Sequence, residues 1–144
     1  MVGKGSVNHN SRKFHAKNTD PERSYLNVEY CNANLQLVYH QLFDEAKQRY
    51  NAKQKRADRM IPDYYEKIRS GKQEKLFHEV IVQIGNREDM NAQSENGALA
   101  AQVLDEYMRE FQKRNPNLRV FSAHLHMDEA TPHLHIDFVP FTTG

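Results

Sequence analysis

This chain of 144 residues has little of several features that commonly indicate a protein's environment. Its single cysteine, Cys31, cannot form an internal disulfide, so nothing argues for an oxidising compartment. No apolar run approaches the roughly 18–20 residues that a membrane span needs, and the N-terminus lacks the apolar stretch of a signal peptide. The net charge is only +1, so overall charge does not indicate a nucleic-acid-binding protein. We therefore expect a cytoplasmic protein.

The residues that are present suit one soluble domain. Hydrophobic residues make up 38% of the chain and charged residues 27%, which is ordinary for a globular protein. We predict that residues 1–144 form a single domain, truncated at its C-terminus because the chain stops directly after a strand pattern. Positive charge is concentrated in residues 47–59, where six lysines and arginines accompany one acid, Asp58. Such a stretch suits either contact with phosphates or a solvated helix face.

Hydrophobic periodicity predicts three helices. Apolar residues recur every three to four positions from Leu35 to Tyr50, which predicts an amphipathic helix. A proline and a glycine bound a shorter predicted helix over 62–71. A second amphipathic helix has its predicted apolar stripe at Leu99, Val103, Leu104, Tyr107, Met108 and Phe111.

Runs of β-branched and aromatic residues predict four strands. The predicted strands lie near 25–30 and at 75–85, 118–127 and 133–141. The last two follow one another with a short connection, which is typical of an antiparallel hairpin. We therefore expect an α+β fold, with a central, mainly antiparallel sheet and helices packed on one face.

The hairpin contains the segment "HLHMDEATPHLH", residues 124–135. Alternate residues of a strand share a face, so His133 and His135 point the same way, about 7 Å apart along the strand. His126 joins them only if it lies opposite one of the two, which requires an even-length connection or a bulge near "DEATP". Three imidazoles suit Zn, Mn, Fe, Co or Ni. Histidines bonded to backbone and water are the alternative, and the acidic pair Asp128–Glu129 could be ligands, orienting groups or turn residues.

Two polar stretches near the N-terminus carry groups that suit DNA backbone contacts. "NHNSR" at 8–12 combines an imidazole, an amide and the guanidinium of Arg12, which can bind a phosphate through two hydrogen bonds. "PERSYLNVEY" at 21–30 adds Arg23, Ser24 and Asn27. Either stretch alone could equally be a polar surface loop.

Taken together, the three motifs resemble those of the MobV-type relaxases, also called Mob/Pre or plasmid recombination enzymes. The matching blocks are HNxR at His9–Arg12, Arg23-Ser24 followed by Asn27, and HxDExTPHxH at His126–His135. The resemblance covers essentially the whole chain, and the third block is highly specific. It implies an HUH-endonuclease fold with a central antiparallel sheet flanked by helices. It also implies an enzyme that nicks one DNA strand at an origin of transfer and stays covalently bound to the 5′ phosphate.

The resemblance also implies roles for individual residues. His9 becomes the nucleophile, Glu129 a base or orienting carboxylate and Arg12 a phosphate clamp. Tyrosine is the usual relaxase nucleophile, so Tyr25, and less so His15 or Tyr30, stay as rivals to His9. His126, His133 and His135 become ligands of a divalent metal ion, Mn²⁺ or Mg²⁺. The implied DNA contacts are Asn10, Arg12, Arg23, Ser24 and Asn27.

Some features depart from the family pattern. Only eight residues precede His9, where family members carry a strand, so the N-terminus is also expected to be truncated. Dimerisation is expected only through regions absent from this chain. His124 has no counterpart in the motif and is either a DNA contact or incidental. Two other functions stay open: a DNA-binding fragment, for origin binding or self-repression, that does not nick, and an unrelated three-histidine metal hydrolase.

Overall fold

The computed structural model describes residues 2–3, 27–84, 95–128 and 131–142. The chain divides into two compact units. One is Ala33–Leu76, here called the helical unit, and the other comprises Met1–Asn32 and Phe77–Gly144, here called the sheet unit. Within the described part of the chain, no helix is both long and apolar enough to cross a membrane.

The helical unit contains helix α1, Leu35–Ala52, a 3-10 turn, Ala57–Arg59, and helix α2, Tyr64–Ser70. Each α-helix begins at a side-chain cap: Asn34 accepts a hydrogen bond from the Leu37 backbone N–H, and Asp63 accepts one from that of Glu66. These helices confirm the two predicted from the sequence over this range.

Aromatic side chains pack α1 against α2 in the helical unit. Tyr39 is buried on α1, and its ring meets the rings of Phe43 and Tyr65 edge-on at centroid distances of 5.2 and 5.4 Å. The Tyr39 hydroxyl donates a hydrogen bond to the backbone carbonyl of Leu76 at the end of the unit. The unit therefore has a small core of its own.

The sheet unit contains helix α3, Glu95–Arg114, and a five-stranded sheet in the order β1-β3-β5-β4-β2. All of its described neighbouring strands pair antiparallel, which confirms the predicted α+β class. The strands are β1 Val2–Gly3, β2 Val28–Asn32, β3 His78–Val82, β4 Leu118–His126 and β5 His133–Pro140.

Helix α3 covers one face of the sheet. Its buried hydrophobic residues are Ala100, Leu104, Met108 and Phe111, and the last three form a core with apolar side chains of β4 and β5. Half of the stripe predicted from the sequence is wrong, because Leu99, Val103 and Tyr107 are exposed. The apolar residues of α3 extend over a wider surface than the sheet covers. The small Ala100, and not Leu99, belongs to the row of residues that is buried against the sheet. The core residues of the strands are Ala123, Leu125, Leu134, Ile136 and Phe138.

A β-bulge sets the register between β4 and β5. Val120 lies opposite Phe138, whereas Ser122 lies opposite Asp137, so Phe121 is an extra residue in β4. From Ser122 onward every β4 side chain is thereby shifted by one position relative to β5. The histidines of β4 lie between this bulge and the connection to β5, in one continuous register with β5.

Candidate active site

Four histidines share the sheet face opposite helix α3. His126 lies directly opposite His133, and His124 lies opposite His135. The connection between His126 and His133 is six residues long, residues 127–132, so it is of even length. This confirms the condition under which His126 joins His133 and His135 on one face. The site lies at the centre of the sheet, because β5 is the middle strand.

The histidine face is polar and yet buried. His126 and Asp137 are fully buried, and His124, His135 and Glu79 are nearly so. Burying imidazoles and carboxylates costs free energy unless hydrogen bonds or charges compensate, so such a face is unusual as mere packing. A sheet with one apolar face and one buried polar face is instead typical of a functional site. The Asp128 side chain, next to the motif's Glu129, is also fully buried.

The three histidines expected as metal ligands lie close together. The ring centroids of His126 and His135 are 4.5 Å apart, and those of His133 and His135 are 6.3 Å apart. Two imidazoles that bind one ion through nitrogens at about 2.1 Å place their ring centres roughly 4–6 Å apart. Among residues 27–84, 95–128 and 131–142, however, no three ligand-type side chains bring their donor atoms close enough to hold one ion. The spacing of His126 and His135 lies within this range, and that of His133 and His135 lies slightly above it.

Sequence reasoning missed Glu79, which contacts one of these histidines. Its Oε1 lies 3.3 Å from Nδ1 of His135, and both side chains are buried. A carboxylate that accepts a hydrogen bond from Nδ1–H fixes the tautomer whose Nε2 lone pair can bind a metal. Glu79 is on β3 and lies opposite Asp137 of β5, so only the pairing of these strands brings it to the site.

His124 has a different environment. Its Nε2 is 3.3 Å from Oε1 of Glu29 on β2, and its Nδ1 is 3.5 Å from the Ser122 hydroxyl. Both ring nitrogens are thus near protein oxygens. This agrees with the absence of a counterpart to His124 in the family motif, and it favours a structural role.

Asn27 anchors the end of β4. Its side-chain oxygen accepts a hydrogen bond from the Met127 backbone N–H at 2.6 Å, directly after His126. The amide oxygen is therefore engaged within the protein, and the Nδ2 atom is buried as well. The contact with DNA stays a prediction, but a positioning role for Asn27 in the motif is visible in the structure.

Tyr30 is poorly suited to be the nucleophile. It packs against the hydrophobic core beneath helix α3, on the side of the sheet away from the histidines. Its hydroxyl donates a 2.6 Å hydrogen bond to Asp105 of α3. Burial, followed by this hydrogen bond to a carboxylate, raises the pKa of the Tyr30 phenol well above its ordinary value. The Tyr30 phenol resists ionisation and faces helix α3. It therefore cannot act as a nucleophile on the opposite face of the sheet, where the histidines lie.

The remaining predicted site residues lie outside the described residues, and their roles stay predictions. They include the proposed nucleophile, its rivals Tyr25 and His15, and most of the DNA contacts. The site residues concerned are His9, Asn10, Arg12, Arg23, Ser24 and Glu129.

A family model described as plasmid recombination enzyme (Mob_Pre) matches residues 32–144. No curated protein shows significant sequence similarity to the chain.

Several solved structures share the fold. They show the MobM relaxase domain (MOBV; Mob_Pre), Mn-bound and in complex with plasmid pMV158 oriT DNA. The structure with a 22-nucleotide DNA at pH 5.5 has a TM-score of 0.51 and 24% identity, covering 96% of this chain and 64% of that one. The structure at pH 4.6 has a TM-score of 0.52 and 23% identity, with coverages of 95% and 63%. A complex with a 3′-thiophosphate at pH 6.8 has a TM-score of 0.53 and 22% identity, with coverages of 96% and 64%.

Proposed function

Because this chain belongs to the plasmid recombination enzyme (Mob_Pre) family, we propose that it is a relaxase domain. In this proposal it acts in the cytoplasm, where it nicks one DNA strand at an origin of transfer by metal-dependent transesterification. The product is a covalent adduct with the 5′ phosphate, which serves mobilisation of a plasmid or integrative element. The chain spans about 64% of the length of the MobM relaxase structures that it resembles, so their activity enters here only as a proposal.

One observation carries the proposal: the placement of His126, His133 and His135 on one buried face at the centre of the sheet. Strand alternation alone does not produce this arrangement, since an even-length connection between the two strands is also needed.

We assign these three histidines to a divalent metal ion. Imidazole nitrogens favour Mn²⁺ over Mg²⁺, because Mg²⁺ binds mainly oxygen ligands. Glu79 supports the assignment by holding His135 through Nδ1. Their donor atoms must come closer together before all three can bind one ion, since among the described residues no three ligand-type side chains are close enough. When bound, the ion would neutralise charge on the scissile phosphate.

The covalent step is assigned to the motif residues. A neutral His9 imidazole nitrogen attacks the scissile phosphorus; a P–N bond forms while the P–O3′ bond breaks, and the released oxygen takes up a proton to become the 3′ hydroxyl. Glu129 accepts the proton of the other imidazole nitrogen, as orienting carboxylates do in catalytic triads. Arg12 grips the phosphate by paired hydrogen bonds. The reverse sequence rejoins the strand. Backbone contacts are assigned to Asn10, Arg23, Ser24 and Asn27.

The proposal is tested by trapping the adduct. The chain is incubated with Mn²⁺ and single-stranded oligonucleotides tiled across the DNA that flanks its own gene. We expect a band that resists denaturing electrophoresis and disappears in His9→Ala. Acid treatment should release the DNA, because a phosphoramidate hydrolyses in acid and a phosphotyrosine does not. Persistence of the adduct in His9→Ala would exclude His9 and direct attention to Tyr25→Phe.

A second candidate is DNA binding without nicking, for origin recognition or self-repression. It predicts salt-sensitive binding of DNA and no covalent band at any Mn²⁺ concentration. Adduct formation by the unmodified chain would eliminate it.

A further inference from the structure

Charge is divided unevenly between the two units of the chain. The helical unit, Ala33–Leu76, contains ten basic and six acidic residues, for a net charge of +4. The rest of the chain contains ten basic and thirteen acidic residues, for a net charge of −3. The near-zero total therefore conceals one positive unit and one negative unit. A polyanion is drawn to the positive unit, although the candidate active site lies on the other.

The positive charge is most exposed between α1 and the end of the 3-10 turn, at residues 53–59, here called the cation loop. Lys53, Lys55 and Arg59 are all exposed and make no ion pair with any residue that the structure describes. Arg56 differs, because its guanidinium donates two hydrogen bonds of 3.0 and 2.7 Å to Asp58. Asp58, the acid of the loop, is thus paired with Arg56. The other three cations of the loop face solvent.

Side chains of α1 hold the segment that follows the cation loop. The Asn51 amide donates a 2.8 Å hydrogen bond to the Ile61 carbonyl, and its oxygen accepts one of 2.7 Å from the Ile61 N–H. Lys47 adds a 3.0 Å hydrogen bond to the Pro62 carbonyl. The loop is therefore tied to the helix where it begins and where it ends. Cations on a fixed loop lose less conformational entropy when they bind a ligand than cations on a free one.

The helix dipole explains only some of the basic residues in and near the cation loop. Cations in the last turn of a helix interact favourably with its dipole, which accounts for Arg49 and for Lys53 at the C-cap. Lys55 and Arg59 lie beyond that turn, where the dipole has little effect. A cavity of about 400 Å³ adjoins Arg59, but Asp58, Asp63 and Glu66 line it as well, so it does not suit a phosphate. The exposed loop is the better anion-binding surface.

We propose that the cation loop, through Lys53, Lys55 and Arg59, binds the phosphodiester backbone of the DNA substrate. This inference rests on the proposed function, because that function brings DNA to the chain. Lysine acts as a point charge toward a phosphate and arginine as a two-pronged donor. Backbone contacts carry no sequence information, so the loop supplies affinity and position while other residues supply specificity. The backbone can belong to a duplex or to a single strand.

The test compares three triple variants by fluorescence anisotropy across a salt titration. Labelled DNA of one arbitrary sequence serves as the probe, once as a duplex and once as a single strand. Lys53→Gln/Lys55→Gln/Arg59→Gln removes the loop charges. Lys72→Gln/Lys75→Gln/Lys113→Gln removes the same charge from exposed positions elsewhere and is the control. Lys53→Arg/Lys55→Arg/Arg59→Lys keeps the charges and should behave like the parent chain.

We expect the slope of log K against log salt to become shallower by about 2–3 for the duplex and by about 2 for the single strand in the loop variant. At about 0.1 M salt this corresponds to an affinity loss of at least tenfold. The control should change the slope by less than half as much. Equal slopes for the parent and the loop variant, or equal changes in the loop variant and the control, would overturn the proposal. A shift on one probe only would identify whether the loop contacts a duplex or a single strand.

Failure of this inference and failure of the proposed function give different results. Covalent adducts in both the parent and the loop variant, with identical salt slopes, would reject the cation loop and support the relaxase. A shallower slope in the loop variant, without an adduct from either protein, would support the loop and reject nicking.

Discussion

At the scale of single residues, Glu79 and Glu29 form a matched pair of contacts with neighbouring histidines. Oε1 of Glu79 is 3.3 Å from His135, and Oε1 of Glu29 is 3.3 Å from His124. Only His135 is a proposed metal ligand. We therefore expect Glu79→Gln to weaken Mn²⁺ binding roughly 10- to 100-fold, since orienting carboxylates have effects of that size. Glu29→Gln should leave the affinity unchanged, as measured by isothermal titration calorimetry.

The buried position of Glu79 calls for a control on folding. Thermal unfolding of Glu79→Gln without metal reports any general loss of stability, separately from the loss of affinity. If Glu79→Gln and Glu29→Gln bind Mn²⁺ equally well, Glu79 does not position a ligand.

Tyr30 supports a second prediction at this scale, one that concerns stability. Its hydroxyl donates a hydrogen bond to Asp105, which also accepts one from Arg109 at 2.8 Å. Tyr30→Phe removes the first bond and should lower the free energy of unfolding by about 1 kcal/mol, because Asp105 keeps Arg109 and some solvent. DNA adduct formation should be unaffected. Urea denaturation at neutral pH measures the stability difference, and a loss of adduct in Tyr30→Phe would reopen its candidacy as nucleophile.

The same contact gives a pH dependence with a definite sign. The hydrogen bond from Arg109, followed by that from Tyr30, lowers the pKa of the Asp105 carboxyl below its ordinary value. A lowered pKa in the folded state stabilises the fold above the ordinary Asp pKa of about 3.9, and the stabilisation is lost as pH falls below it. The difference between the parent and Tyr30→Phe should therefore shrink on acidification. A difference that grows toward acid pH would contradict the assignment.

At the scale of elements, helix α3 offers a direct comparison between two leucines of the stripe predicted from sequence. Leu104 is 1% exposed and Leu99 is 58% exposed. Leu104→Ala should lower the free energy of unfolding by about 3–5 kcal/mol, through lost burial and a residual cavity. Leu99→Ala should change it by no more than about 0.5 kcal/mol. Urea denaturation of both variants measures this, and similar losses would mean that the packed row of α3 is misassigned.

Helix α3 also shows what periodicity can and cannot predict. The spacing of apolar residues is local information, so it predicted the helix correctly. Which row of that helix meets the sheet depends on tertiary packing, and the row includes Ala100, which is too small to stand out in a hydrophobic pattern. The larger Leu99 and Val103 were expected to be buried and are exposed.

In the candidate site, too, the sequence predicted the local features but not those that depend on tertiary structure. Strand alternation predicted that the histidines of each HxH pair share a face, and it set the condition for His126 to join the others. Whether the condition is met depends on the length of the connection between β4 and β5, whose ends the sequence pattern alone does not fix. Glu79 was missed because it reaches His135 only through the pairing of β3 with β5, across 56 residues of sequence.

At the scale of the whole molecule, binding at the histidine face should be coupled to the stability of the fold. The proposed ligands come from two neighbouring strands, β4 and β5, which exist as a pair only in the folded chain. An ion that binds only the folded state raises the free energy of unfolding by about 2.7 kcal/mol at a hundred times its Kd. We therefore expect Mn²⁺ to raise the melting temperature of the parent chain.

Two alanine variants separate this coupling from nonspecific effects of the cation. His135→Ala removes a proposed ligand and should abolish the Mn²⁺-dependent rise, whatever its stability without metal. His124→Ala removes an imidazole from the same buried face, but one whose ring nitrogens lie near Glu29 and Ser122, so the rise should persist. Loss of the rise in both variants would make His124 a further ligand. Its persistence in both would mean that the ion binds elsewhere, because a site held by His126, His133 and His135 cannot keep its affinity without one of its three imidazoles.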